Sequence, residues 1–584
     1  MTPSPPPEAE TALVAEGDRM VIYLAILMAL FLAALDQTIV STALPSMVED
    51  LQGIDRYAWV ATAYLLASTA LALVYGKLAD TYPRKHVTLG AVGLFLGGSV
   101  LCGLAGEFGA LPLLGDGMTQ LVIFRGIQGA GGGGLFAMTF IVIADLFTPA
   151  ERGRYQGLVG AVFGIASVLG PLVGGLLTDH AGGLIPGVEG WRWVFYVNVP
   201  VGALAVWFIV RRMPRLEPQG DRTPPDLVSA ALLLGGLIPV ILALQIDKRR
   251  YPWLPGFGGD VTGLAAWTTL ALTLFGLVVL ILFVQRSRTS RSPILDFRLF
   301  ENDVFRTANF ATFFFGASFM SVTIFLPLYL VNVTGVTATR AGAALIPFSM
   351  GIVFAATYAG QAAVRIGYRK QIVGGGILFT VASVLLANMG ADEPYPRVVA
   401  YMVLAGFGIG PSMPLFTLAI QNAVDVRFIG QATSASQFFR QTGATVGAAL
   451  MGTVLGTTLG IAFAALELPV EMTDTPGASA EAFVSTGGAE LPERIREAFD
   501  RSAASAATPS EAGQIRADGE RIAIETGAAI RSAFAQATSR IYWLTAFLVV
   551  VATALSTRIP ELPLRTTHDR ASLRASMPTS MNDD

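Results

Sequence analysis

Fourteen apolar stretches, each near the roughly 20 residues that a helix needs to cross a hydrocarbon core, follow one another along this chain. They run at about 20–42, 57–76, 87–106, 119–147, 155–178, 192–211, 226–246, 261–284, 305–331, 341–362, 371–390, 397–421, 433–465 and 540–558. Polar turns separate most of them. In lipid every backbone group must be satisfied internally, so the pattern predicts an all-α polytopic membrane protein. The first stretch carries Asp36 and is preceded by only one basic residue, Arg19. It reads as an uncleaved span and not a signal peptide. A longer segment, 466–539, interrupts the pattern. It opens with Pro, Gly, Thr and Ser, then turns periodic: Leu491, Ile495 and Phe499, and later Ile515, Ile522, Ile530, Phe534 and Ile541. That spacing predicts helices, with spans 13 and 14 projecting from the bilayer as a pair. The segment serves as a packed cap, docks an extracytoplasmic protein partner, or extends the path of a lipid-like substrate. The tail 559–584 is polar and expected to lack structure.

Composition sharpens this picture. Of 584 residues, 53% are hydrophobic and 14% charged, against about 25% charged in soluble domains. Many of the 63 glycines lie inside apolar runs, where they let helix backbones approach. Cys102 is the single cysteine, which excludes an intrachain disulfide. The three histidines (86, 180 and 568) avoid membrane depth, and no nucleophile or metal cluster is visible. An enzyme is therefore not expected, nor a cofactor, nor a nucleic-acid partner.

The distribution of basic residues sets the orientation. Lys77, Arg84 and Lys85, then Arg152 and Arg154, Arg211 to Arg222, Arg286 to Arg298, Arg365 to Lys370, and Arg427 all fall on even-numbered loops. The odd loops hold little beyond Arg56, Arg192, Arg340, Arg397 and the Lys248–Arg250 trio. The positive-inside rule then places both termini in the cytoplasm of a multi-pass cell-membrane protein.

Two buried charges are the candidate chemistry. Asp36 lies deep in the first span, where a bare carboxylate costs roughly 2.5–3.5 kcal/mol even on gentle insertion scales. It is kept either as a proton or substrate site, attracting a lipophilic cation when ionised, or as a structural carboxylate paired with a hydroxyl or an arginine. Arg125, in span four, cannot shed its proton. It acts in coupling or bonds the carbonyls of a neighbouring helix, and Gln128 one turn on can share either role. The glycines from Gly126 to Gly134 lack the Lys-Ser/Thr ending and preceding strand of a phosphate loop, so they read as helix packing.

Two loops repeat. Gly76-Lys77-Leu78-Ala79-Asp80-Thr81-Tyr82-Pro83-Arg84-Lys85 is matched after span ten by Gly360 to Lys370 (GQAAVRIGYRK). Each joins the second and third helix of a six-helix group. The chain thus divides into a tail 1–19, a bundle 20–215, two inserted helices with a linker 216–300, a bundle 301–558 containing 466–539, and a tail 559–584. Two halves around a midplane site is the plan of a secondary transporter. Asp80, Arg84 and Lys85, with Asp145 and Arg152 on the next loop, either form a conformational latch or only mark topology; exposed pairs are worth about 0–1 kcal/mol. In span five, Gly164, Gly170, Pro171, Gly174 and Gly175 combine a bend with close packing, as a seal or as a plain kink. Tyr64, Asn198, Asn309, Gln421, Gln437 and Arg440 are candidate cavity-lining residues, and the 35 phenylalanines suit an apolar pocket.

Gly76, Leu78, Ala79, Asp80, Arg84 and Lys85 resemble the signature loop of the major facilitator superfamily, with Pro83 where that family usually has glycine. Leu121 to Gly131 (LVIFRGIQGAG) resembles the family's fourth-helix motif, and Gly164 with Gly170 to Gly175 resembles its antiporter motif. Leu35-Asp36 to Pro45, Trp191 to Pro200 and Arg440-Gln441-Thr442-Gly443 look like the fourteen-helix EmrB/QacA-type drug:proton antiporters. The resemblance implies two six-helix bundles with two extra central helices, a part in proton coupling for Arg125, and export of hydrophobic, often cationic, compounds driven by a proton gradient. The alternatives are export of lipid or glycolipid guided by the outer helical pair, and a receptor or scaffold that does not transport.

Overall fold

The computed structural model describes residues 16–53, 56–110, 112, 114–183, 185, 188–218, 223–245, 264–464, 491–504 and 508–564, and no strand occurs among them. The helices are α1 (Glu16–Leu51), α2 (Tyr57–Thr81), α3 (Arg84–Gly103), α4 (Gly117–Leu146), α5 (Pro149–His180), α6 (Trp193–Tyr196), α7 (Asn198–Arg212), α8 (Leu227–Gln245), α9 (Leu264–Thr289), α10 (Asp303–Met320), α11 (Leu326–Asn332), α12 (Ala338–Ala343), α13 (Leu345–Ile366), α14 (Tyr368–Ala387), α15 (Tyr395–Ile409), α16 (Ser412–Ala423), α17 (Ile429–Ala464), α18 (Leu491–Ala504) and α19 (Pro509–Thr557). Thirteen helical stretches among the described residues are long and apolar enough to cross a membrane, and Leu227–Ala243 is a shorter apolar helix. Lys248–Arg250, Arg222, the outer-loop residues 466–490 and the tail residues 1–15 and 565–584 lie outside the described residues.

Local chemistry sets the helix ends. Asp116 starts α4 by accepting a 2.9 Å bond from the Thr119 N–H. Thr148 and Glu151 form a capping box on α5, with Pro149 in the first turn. Pro327 cannot donate to the preceding turn, and the chain passes it through a π-helical turn, Ser321–Phe325, between α10 and α11.

Glycines then decide which helices touch. A Cβ at Gly129 would collide with the Tyr64 backbone, one at Gly131 with the Phe95 backbone, and one at Gly133 with the Ser68 carbonyl. Helix α4 therefore lies directly on the backbones of α2 and α3. Helices α1 to α7 pack as one group, and α10 to α17 with α19 as another, while α8 pairs with α9 and rests on α2 and α17. The two groups meet where α5 crosses α13 and α2 crosses α17. Gly153 faces Gly360 there, and Gly76 faces Gly430 and Ser434.

Two features differ from the sequence expectation, and a third, the long helix that carries span 14, follows it. Helix α1 already runs at Glu16, ahead of position 20. Span 14 is the inner end of the 49-residue helix α19, about 74 Å long at 1.5 Å per residue, over twice a hydrocarbon core of roughly 30 Å. Its outer part pairs with α18 through buried Ile495 and Phe499 and the ion pairs Arg496–Glu520 (2.8 Å) and Arg516–Asp500 (3.1 Å). Finally, the start of the tail is pinned. Glu561 accepts from the backbone N–H groups of Tyr368 (2.8 Å) and Arg369 (3.1 Å), and Asn422 donates to the Pro563 carbonyl (3.1 Å). The unpaired N–H groups at the start of α14 attract that carboxylate.

Candidate functional site

Helix α4 sits so close to α2 that Arg125, one turn before Gly129, is pressed among polar groups of three helices. Its Nη1 donates to Asp36 Oδ2 (2.5 Å) and to Gln128 Oε1 (2.7 Å), and its Nε donates to the Val60 carbonyl (3.2 Å). Gln128 Nε2 donates to Asp36 Oδ1 (2.8 Å), and Asn198 Nδ2 reaches the same oxygen at 3.4 Å and Ser99 Oγ at 3.0 Å. The Tyr64 ring stacks 4.4 Å from the guanidinium carbon. Asp36, Tyr64, Gln128 and Asn198 have no solvent exposure, and Arg125 retains 2%. Breaking such a pair by removing one partner costs about 3–5 kcal/mol, because a buried charge is left alone.

A cavity lies between the two groups of helices. Gln37 of α1, Phe136 of α4 and Phe163 of α5 form one wall; Phe315 of α10, Phe416 of α16 and Arg440 of α17 face them. Its volume is about 90 Å³, room for several waters at roughly 10–15 Å³ of water-centre space each. Gln37 and Asp36 are neighbours on a helix with 3.6 residues per turn. The side chain of Asp36 is thus turned away into the charge network while Gln37 meets the cavity. In this conformation Asp36 is engaged by Arg125, the arginine pairing that the sequence offered as one of two readings, and does not itself face the cavity.

Of the six candidate lining residues, Arg440 lines this cavity. Tyr64 and Asn198 belong to the charge network. Asn309 is buried and donates to the Phe305 carbonyl of its own helix (2.8 Å). Gln421 ties the halves together, accepting from Gln156 Nε2 (2.9 Å) and donating to the Phe140 carbonyl (3.3 Å) and Thr433 Oγ1 (2.9 Å). Gln437 is buried and accepts from Arg440. Sequence patterns show depth along a helix, but not which face meets which neighbour.

The bonds between halves gather at one end. Asp80 Oδ1 accepts from the Gly430 N–H and Oδ2 from the Gln431 N–H, both at 2.8 Å, at the start of α17. Arg84 approaches Asp80 at 3.7 Å and binds Asp145 at 2.9 Å. Lys85 turns to the Val210 carbonyl (2.8 Å), and Arg152 donates to the carbonyls of Phe147 (3.0 Å) and Ala144 (2.7 Å). In α5, Gly164 faces Val353 of α13, whereas Gly170 and Gly174 seat Thr38, Ile39 and Thr42 of α1 in their own half. A Cβ at Gly175 meets nothing, and Pro171 lies within α5. Gly430 and Gln156 were not legible as functional residues; the one available signal was a glycine at a helix start.

This arrangement agrees with what the chain is related to. The Major Facilitator Superfamily model matches residues 26–448. The chain belongs to that family. It is a multi-pass membrane transport protein and not an enzyme. It is 34% identical over 445 residues to the multidrug transporter protein MdtP of Bacillus subtilis, covering 76% of this chain and 77% of that one. It is 34% identical over 446 residues to multidrug resistance protein 3 of the same organism, covering 76% and 81%. The efflux pump dotC of Dothistroma septosporum is 32% identical over 444 residues, covering 74% and 71%. Solved structures of the human organic anion transporter MFSD10 (TM-score 0.54, 12% identity, covering 91% of this chain and 99% of that one) and of the proton:xylose symporter XylE (0.55, 13%, covering 95% and 99%) share the fold.

Proposed function

We propose that this family member exports hydrophobic compounds across the cell membrane in exchange for protons, as a fourteen-span antiporter whose energy source is the proton gradient. The observation that carries this reading is the Asp36–Arg125 pair. It is a carboxylate and a guanidinium in contact at 2.5 Å, without solvent, one residue from the cavity wall. A proton added to Asp36 removes the charge that offsets Arg125, so protonation changes which conformation is stable. Gln128 and Asn198 hold the carboxylate in place while that exchange occurs. The names of the relatives, a multidrug transporter and an efflux pump, support the direction of transport and the kind of cargo.

The arginine bias puts the termini and the Asp80 end in the cytoplasm. The hydrogen bonds between halves then close the cytoplasmic side. Asp80, Arg84 and Asp145 are the latch at that side, and releasing it opens the cavity inward. A second reading, export of a lipid or glycolipid, is favoured by one observation: α19 with α18 extends far past a bilayer core, a surface along which a long cargo could travel. Proteoliposomes with an imposed pH gradient test the main reading: dye should move against its gradient only when protons run down theirs, and transport indifferent to the proton gradient contradicts it.

A further inference from the structure

Among the described residues, the charge on the cavity wall has no counter-ion. Gln37, Thr312, Ser412, Thr417, Ser436 and Gln441 give the wall neutral polar groups, and Arg440 is the one charged residue among those lining it. Its hydrogen bond runs to Gln437, on its own helix. No carboxylate stands within ion-pair distance of Arg440 among the described residues, and Asp36 is committed to Arg125. Arginine stays protonated under all ordinary conditions, and a guanidinium in a water-poor, apolar setting is costly until an anion or further acceptors meet it. Around it, Phe315 and Phe416 lie with ring centroids 5.5 Å apart, and Phe136 stacks on Phe163 at 5.5 Å. The wall thus offers aromatic surface and one fixed positive charge.

We propose that the cargo of this cavity is an aromatic organic anion, a carboxylate or sulfonate on an apolar body, whose charged group docks on Arg440. This rests on the exporter reading and adds a substrate class to it. The guanidinium presents a planar fork suited to two-oxygen acceptors, the phenylalanine rings take the body, and Gln441 supplies a neutral polar group beside the fork. Cations meet a repulsive charge instead.

The test uses the full chain in nanodiscs of neutral lipid and a matched pair of fluorescent probes. 8-Anilinonaphthalene-1-sulfonate and N-phenyl-1-naphthylamine share a body and differ by the sulfonate. The unaltered protein should bind the sulfonate about tenfold or more tightly than the neutral probe. Arg440→Gln should abolish that preference, and Arg440→Lys should retain part of it. Equal affinity of the unaltered protein for the two probes, or a sulfonate preference that survives Arg440→Gln, overturns the proposal. A fluorescent short-chain phosphatidate competing better than the sulfonate would assign the anion to a lipid headgroup and overturn the organic acid. In proteoliposomes the two readings separate. Movement of ethidium and the neutral probe but not the sulfonate defeats the anion assignment alone. Intact sulfonate preference with no probe transported defeats the exporter reading alone.

Discussion

The carboxylate of Asp80, at the end of α2, accepts a 2.8 Å hydrogen bond from the backbone N–H of Gly430, the second residue of α17 in the opposite half of the protein. A side chain from one half thereby caps a helix of the other. The glycine is required: a Cβ at Gly430 would run into the Asp80 carboxylate and the Gly76 carbonyl.

This contact should control which end of the transporter is closed. Hydrogen bonds to a charged group are worth about 1.5–3 kcal/mol each, so losing one or both shifts the closed-to-open ratio roughly tenfold or more. Spin labels at exposed Tyr82 and Arg427 should report longer separations in Gly430→Ala and Asp80→Ala than in the parent. An unchanged distance distribution would show that the contact does not hold this end shut.

The charge network should be destabilised by single neutralisation and relieved by double neutralisation. Arg125→Gln leaves Asp36 buried without its partner, at a cost of about 3–5 kcal/mol. Combining it with Asp36→Asn removes both charges. Thermal unfolding in detergent should therefore rank the double variant above Arg125→Gln, although neither transports. A double variant as unstable as the sum of the singles would mean the two residues are not energetically coupled.

The hairpin of α8 and α9 depends on Asp226. Burial pushes its carboxyl up, but hydrogen bonds from Arg286, Ser290 and Ser229 outweigh that and hold it down at about 2. The Arg286 bond is 2.8 Å, and the Ser229 hydroxyl donates at 3.0 Å. A carboxylate held low stabilises the fold above its unfolded-state value near 3.9 and loses that contribution as pH falls from about 4 towards 2. Asp226→Ala should cost about 1 kcal/mol, as for other helix caps, and its effect should vanish at the acid end. A cost independent of pH across that window would contradict the assignment.

Glu561 should protect the start of α14. It accepts from the N–H groups of Tyr368 and Arg369, beside Gly367, whose φ of +87° suits glycine. Hydrogen exchange of those two amides should accelerate in Glu561→Ala or after truncation at Arg558, while the middle of α14 stays protected. Equal exchange in parent and variant would show that the tail does not cap this helix.

What was legible in the sequence follows what sequence encodes. Long apolar runs marked the membrane-crossing helices, and the rarity of charge in them singled out Asp36 and Arg125, with Gln128 noted as the polar neighbour of Arg125; the fold brings the three into contact. Tyr64 and Asn198 were placed at the right depth but on a cavity wall, because depth along a helix does not say which face meets a neighbour. Asn198 turns to Asp36, and Tyr64 covers Arg125. The partners Gly430 and Glu561 were invisible for another reason. In both contacts one side is a row of backbone N–H groups, which every helix start possesses, so no residue type advertises it. Arg440 was noted among polar residues, but the absence of an acid beside it emerges only once the helices are packed.

The most direct measurement of the central claim is proton flux coupled to cargo export in proteoliposomes carrying Asp36→Asn, a change that keeps the size of the side chain, removes its charge and exchanges one acceptor oxygen for a donor. The account predicts a protein that still folds, destabilised by the unpaired Arg125, whose substrate-dependent proton flux falls to the level of empty liposomes. Full coupled flux in that variant would contradict it.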